Sequence, residues 1–166
     1  MSQQEHKAAA PTAVRVAVLT VSDTRTEATD TSGRAIRALL EEAGHAVTAS
    51  AIVPDDPDAV TGFVLDQLET AAQVVITTGG TGITSRDSTY EAIDALLEKR
   101  LDGFGELFRM LSYEQVGAAA MMSRATAGLA RGRIVIALPG SEAAVRLAMD
   151  KLVVPELGHM VQQARK

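Results

Sequence analysis

Four stretches of this chain are almost continuously apolar and β-branched, and each is followed by residues whose apolar positions recur at helical spacing. The runs are Val14–Val21 (VRVAVLTV), Ala46–Val53, Gln73–Thr78 (QVVITT) and Arg133–Leu138 (RIVIAL). A strand with one wet face alternates apolar and polar side chains, so the continuous run Val14–Val21 predicts a strand buried on both faces, as in a parallel sheet, and the other three runs read as further strands. Between and after them, Ile36, Leu39, Leu40 and Ala43, then Val60, Phe63, Val64 and Leu68, then Ile93, Leu96 and Leu97, then Val145, Ala148, Met149 and Leu152 each mark one apolar face of a helix. Strands alternating with helices predict an α/β domain, with right-handed crossovers placing helices on both faces of a mainly parallel sheet.

The punctuation agrees. Asp30, Thr31 or Ser32 can cap the first of these helices, and Gly44 stops it. Asp56 before Pro57 is an N-cap followed by proline in the first turn. Ser88 and Glu91 have capping-box spacing, Ser141 can cap the helix after the fourth strand, and Pro155 is expected to break it. Residues 101–130 read as less regular helix, with Phe104, Leu107, Phe108 and Leu111 in one cluster and with Ala118–Met122 and Ala125–Ala130 rich in small residues and methionine. With no linker, composition break or repeat, residues 14–166 are expected to form one domain. Residues 1–13 (MSQQEHKAAAPTA) are expected to be a loose tail without the apolar region of a secretory signal, which implies a cytoplasmic protein.

Composition removes several functions. The chain has 166 residues, no cysteine and no tryptophan, so disulfides, zinc-thiolate or iron–sulfur ligation and cysteine nucleophiles are excluded. A net charge of −5 and 3% aromatic residues argue against nucleic acid as a partner. No stretch is long and apolar enough for a membrane span. His6, His45 and His159 lack metal-ligand spacing.

In a parallel sheet the ligand crevice lies outside the carboxyl ends of the strands. Four segments are expected to converge there: Ser22-Asp23, Pro54-Asp55, Thr78-Gly79-Gly80-Thr81-Gly82 leading to Asp87, and Pro139-Gly140-Ser141. The glycine loop lacks the Lys-Ser/Thr of a P-loop and the third glycine of a dinucleotide fingerprint. Its glycines would let backbone N–H groups approach an anion, or would merely supply positive φ for a tight turn. Asp55 and Asp87 each precede an expected N-cap, which leaves both carboxylates free. Beside an anion they would need a divalent cation such as Mg2+; otherwise they are solvated acids favoured by a helix dipole. Arg86 reads as a surface residue, with screening of phosphate charge as its other role.

Taken together, Val18–Asp23, Asp30–Gly33, Thr77–Gly82, Arg86-Asp87, Gly103–Glu106 and Leu138–Ser141 resemble the MoaB/Mog family of molybdenum cofactor biosynthesis proteins over residues 14–155, and Phe108–Glu114 is closer to the MoaB branch. The resemblance implies a molybdopterin-binding α/β/α sandwich. It implies transfer of AMP from Mg-ATP to the terminal phosphate of molybdopterin, with pyrophosphate released and molybdate inserted afterwards by another enzyme. On this resemblance Asp55 and Asp87 serve Mg-ATP binding and catalysis, Gly79–Gly82 hold the pterin phosphate, and Pro139, Gly140 and Ser141 form a second binding loop. From the residues alone, Ser22 and Asp23 either line the crevice or simply form an Asx turn.

A module that holds molybdopterin without catalysis is the competing class, and Asp55 separates the two, since only transfer needs both acids. A nucleotide-binding domain unrelated to molybdenum fits less well, given the missing P-loop lysine. The resemblance also implies a homotrimer or homohexamer. Phe104, Phe108, Met110, Leu111, Met121 and Met122 would supply an apolar interface, unless they complete the chain's own core.

Overall fold

The computed structural model describes residues 2–166. The elements are α1 (Gln3–Ala8), β1 (Arg15–Val21), α2 (Thr31–Glu42), β2 (Ala46–Val53), α3 (Pro57–Leu68), β3 (Val74–Thr78), α4 (Thr89–Leu96), β4 (Lys99–Arg100), α5 (Asp102–Val116), β5 (Thr126–Ala130), β6 (Arg133–Leu138), α6 (Glu142–Ala148) and α7 (Val154–Ala164). The sheet runs β2-β1-β3-β6-β5-β4. β1, β2, β3 and β6 are parallel, and β5 pairs antiparallel with both β6 and β4.

Alternate residues of the apolar strands face opposite ways and make two cores. Val16, Val18, Val74, Ile76, Ile134 and Ile136 pack against Ile36, Leu40, Phe108, Val145, Met149 and Leu157. Ala17, Leu19, Val75, Val135 and Ala137 pack against Val60, Val64 and Ile93. This is the three-layer α/β/α sandwich. Register then sets the site: Thr20 pairs with both Ile52 and Thr78, and Thr78 with Leu138, so four strands end level on one edge.

Several local expectations are corrected. Ala125–Ala130, expected to be helical, largely forms β5. Its small residues reflect close packing, since a Cβ on Gly128 would lie 2.3 Å from the Lys99 carbonyl oxygen. α5 ends at Gly117 (φ +69°), and one 3-10 segment, Gly117–Met122, leads towards β5. Pro155 does not break the C-terminal helix. A π-helical turn, Met149–Val153, joins α6 to α7 without a break, and Pro155 stands in the first turn of α7, directly after that turn. The N-terminal segment expected to be a tail contains α1, whose cap Ser2 and Glu5 make a reciprocal capping box.

The apolar residues of α5 and the 3-10 segment after it divide. Phe108 is buried, and Phe104 packs against the core. Met110, Met121 and Met122 are exposed, together with Leu107, Tyr113 and Val116. Among the described residues no helix is long and apolar enough to cross a membrane.

Candidate active site

The four loops meet at the carboxyl edge of the sheet, as the alternation of strands and helices predicts. The Ser22 N–H donates to the Val53 carbonyl at 2.9 Å, and the Ser22 hydroxyl accepts from the N–H groups of Thr24 and Arg25, forming a local turn. Asp23 accepts from the Asp55 N–H at 3.0 Å and from Arg86 Nε and Nη2 at 3.0 and 2.9 Å. Chiefly because of Arg86, the Asp23 carboxyl is held below the usual carboxylate range. Arg86, read from sequence as a surface residue, therefore ties the first loop to the third.

Asp30 is the cap of α2. Its buried carboxylate accepts from the Gly33 N–H at 2.9 Å and from the Thr20 hydroxyl at 2.7 Å. The fourth loop is held similarly: the Thr78 hydroxyl donates to the Pro139 carbonyl at 2.7 Å, and the Ser32 hydroxyl donates to the Gly140 carbonyl at 2.7 Å. Arg25 Nη2 approaches the same carbonyl at 3.4 Å. Ser141 caps α6 by accepting from the Ala144 N–H.

The glycine loop is tight in a way only glycine permits. Gly79 and Gly80 have φ of +104° and +73°. A Cβ on Gly79 would meet the Val21 carbonyl oxygen at 2.1 Å, and one on Gly80 would meet Thr89 Oγ1 at 2.1 Å. Beyond the Gly79 N–H, which donates to the Leu138 carbonyl, the N–H groups of Gly80, Thr81, Gly82 and Ile83 have no acceptor among the described residues. The first three of their carbonyls, by contrast, are occupied. Gly80 O accepts from the Thr89 N–H, Thr81 O from the Arg124 N–H and Gly82 O from the Arg124 guanidinium. A run of unpaired amides at a strand end is a feature that can cradle an anion.

Both acids abut this cradle. Asp55 Oδ2 would lie 3.1 Å from a Cβ on Gly80, and Asp87 Oδ2 would lie 2.6 Å from one on Gly82. Neither carboxylate is wholly free, contrary to the sequence reading. Asp55 is buried, and its Oδ1 accepts from the Ser88 hydroxyl at 2.8 Å and the Ser88 N–H at 3.3 Å. Asp87 Oδ2 accepts from the Thr84 N–H and hydroxyl at 2.9 and 2.8 Å. The expected Ser88–Glu91 capping box is absent for the same reason: the Ser88 hydroxyl is spent on Asp55, and Glu91 pairs with Arg124. Each acid keeps one oxygen without a hydrogen-bond partner, Oδ2 on Asp55 and Oδ1 on Asp87.

A family model described as a probable molybdopterin binding domain matches residues 17–159. The chain belongs to the MoaB/Mog family. It is 54% identical to molybdenum cofactor biosynthesis protein B of Bacillus subtilis, with 100% of this chain and 99% of that protein aligned. It is 48% identical to the protein of the same name from Staphylococcus aureus, over 92% of this chain and 93% of the relative. Among solved structures, a molybdenum cofactor biosynthesis protein B superposes with a TM-score of 0.90 at 52% identity, covering 93% of this chain and 98% of that one. The tungsten cofactor synthesizing protein MoaB from Pyrococcus furiosus superposes with a TM-score of 0.86 at 41% identity, covering 95% and 100%. The family match spans all four loops of the site.

Sequence reasoning missed Arg124, Thr89 and Arg25, and read Ser32 only as a possible cap and as part of the Asp30–Gly33 resemblance. Arg25 lies in the loop after β1, but neither Arg124 nor Thr89 lies at the carboxyl end of a strand or in a glycine-rich run. Arg124 in particular reaches the loop only because β5 returns beside β6.

Proposed function

We propose that this member of the molybdenum cofactor biosynthesis family transfers AMP from Mg-ATP to the terminal phosphate of molybdopterin. The observation that carries the reading is the run of unpaired amides from Gly80 to Ile83 flanked by the half-free carboxylates of Asp55 and Asp87. The amides bind phosphate oxygens of the pterin, and Pro139–Ser141 and Ser22-Asp23 border the crevice. A molybdopterin phosphate oxygen attacks the α-phosphorus of ATP. A phosphoanhydride bond to AMP forms, the bond to the β-phosphate bridge breaks, and pyrophosphate leaves. No general base is needed, because a phosphate monoester is already largely ionised at neutral pH, and orientation with charge neutralisation carries the rate.

Two carboxylates beside bound phosphates are repulsive on their own. The hard oxygen donors left on Asp55 and Asp87 fit Mg2+, which takes one or two carboxylates together with substrate phosphates and water. No group of three or more metal-ligating side chains exists among the described residues, so the ion is expected to arrive with ATP. When bound it supplies charge neutralisation of the transferring and leaving groups.

One observation favours the second reading, a molybdopterin holder without catalysis: Ser88 and Thr84 already give both acids structural work. The two readings part on one assay. Purified protein incubated with molybdopterin and Mg-ATP should yield adenylyl-molybdopterin and an equal amount of pyrophosphate, detected by mass spectrometry. Molybdopterin bound with no ATP consumed would leave only the holder.

The exposed Leu107, Met110, Tyr113, Val116, Met121 and Met122 support the proposal of a threefold-based homo-oligomer, hexamer ahead of trimer. Adenylyl-molybdopterin would then pass to a molybdate-inserting enzyme in the cytoplasm.

A further inference from the structure

Arg124 lies outside all four loops, two residues before β5, yet its contacts converge on the glycine loop. Its N–H donates to the Thr81 carbonyl at 2.9 Å. Its guanidinium donates from Nε and Nη2 to the Gly82 carbonyl at 3.0 and 2.7 Å, and Nη2 reaches the Asp87 carbonyl at 3.4 Å. The same guanidinium pairs with the Glu91 carboxylate and packs over the Tyr90 ring, 5.0 Å from its centroid. One half-buried side chain thus joins the glycine loop, the backbone of Asp87 and the first turn of α4.

The consequence follows from peptide geometry. In a trans peptide the N–H points opposite to the preceding carbonyl. Drawing Thr81 O and Gly82 O towards Arg124 therefore turns the N–H groups of Gly82 and Ile83 the other way, and these are two of the four amides that no protein group accepts from. The Thr89 N–H does the same for the peptide between Gly80 and Thr81. Only a planar, always-charged fork can hold one carbonyl from two nitrogens, keep the Asp87 carbonyl in reach and stack on a ring at once; a lysine ammonium is a single point donor.

We propose that Arg124 is the positioning residue of the anion cradle: it takes the carbonyl side of the loop so that the amides of Gly82 and Ile83 are presented to a phosphate of the ligand. The inference rests on reading the glycine loop as a phosphate site, and it adds a residue that acts on the ligand only through backbone.

The test is an amide chemical-shift titration of the full protein with inorganic phosphate, for wild type, Arg124→Ala and Arg124→Lys, with thermal melting of each. Wild type should show saturable shifts at Gly80, Thr81, Gly82 and Ile83. Arg124→Ala should melt cooperatively but bind phosphate on the order of tenfold more weakly, with the Ile83 amide, whose peptide the guanidinium holds, shifted from its wild-type position before phosphate is added, and the Gly82 amide, whose peptide the Arg124 main chain holds, displaced less. Arg124→Lys should stay within about threefold of Arg124→Ala, because it keeps the charge but not the fork. It also serves as the reporting variant if Arg124→Ala does not fold. Wild-type affinity in Arg124→Lys would overturn the inference, since charge rather than carbonyl anchoring would then be at work. So would unchanged affinity in Arg124→Ala. Absence of any loop response in wild type would instead remove the phosphate reading on which the inference stands.

Discussion

Replacing Gly80 by alanine should weaken the fold and the cradle together. Gly80 has φ +73°, where an L-residue costs about 1–2 kcal/mol. The added Cβ would lie 2.1 Å from Thr89 Oγ1 and 2.9 Å from Thr89 Cβ, and Thr89 is fully buried at the first position of α4. Moving Thr89 away strains its N–H bond to the Gly80 carbonyl, worth about 1 kcal/mol. The sum is about 2–3 kcal/mol, which for a chain of this size lowers the melting midpoint by on the order of 4–12 °C. Gly62→Ala is the internal control. Gly62 is exposed in the interior of α3 with nothing within 4 Å of an added Cβ, so that variant should gain about 0.5–1 kcal/mol. Calorimetric melts of the three proteins decide the matter. Gly80→Ala melting with wild type, while binding phosphate as tightly, would refute the argument that this loop requires a left-handed glycine.

Other perturbations follow from the same contacts. Gly80→Val, with a branched Cβ, should impair molybdopterin binding more than Asp55→Asn does in titration calorimetry. Asp55→Asn and Asp87→Asn should retain molybdopterin and the fold, because an amide oxygen still accepts from Ser88 or Thr84, but lose about a hundredfold or more in adenylyl transfer measured by pyrophosphate release. Asp30→Ala strands the Thr20 hydroxyl and the Gly33 N–H in the interior and should cost about 2–4 kcal/mol in urea unfolding. His45, lowered by burial, accepts the Val14 N–H at Nδ1, 3.0 Å away. Its folded pKa lies below the unfolded value of about 6.5, so its contribution is full above that pH and declines as pH falls below it. The urea midpoint should therefore drop on acidification from pH ~7.5 to ~5.5, and His45→Gln should flatten that slope.

The parallel sheet was legible because β1, β3 and β6 are buried on both faces and must be written as continuous apolar runs. The strand ends, and hence the loops carrying Asp23, Asp55, Gly79–Gly82 and Pro139–Ser141, came with them. What escaped is what tertiary contact decides. Gly128 of β5 is small for room beside β4, a need that residue propensities do not register. The partners of the acids also escaped, since the sequence places a cap at Ser88 but cannot show that its hydroxyl turns to Asp55. Arg124 carries no local signal, because its role depends on a loop more than forty residues away in sequence.

The most direct measurement of the proposed reaction follows a label from ATP into the pterin. Molybdopterin-loaded protein is mixed with Mg-ATP radiolabelled on the α-phosphate, and in parallel with Mg-ATP labelled on the γ-phosphate. The account predicts α-label in the molybdopterin product and γ-label only in pyrophosphate. γ-label on the pterin, or molybdopterin retained with neither label transferred, would contradict it.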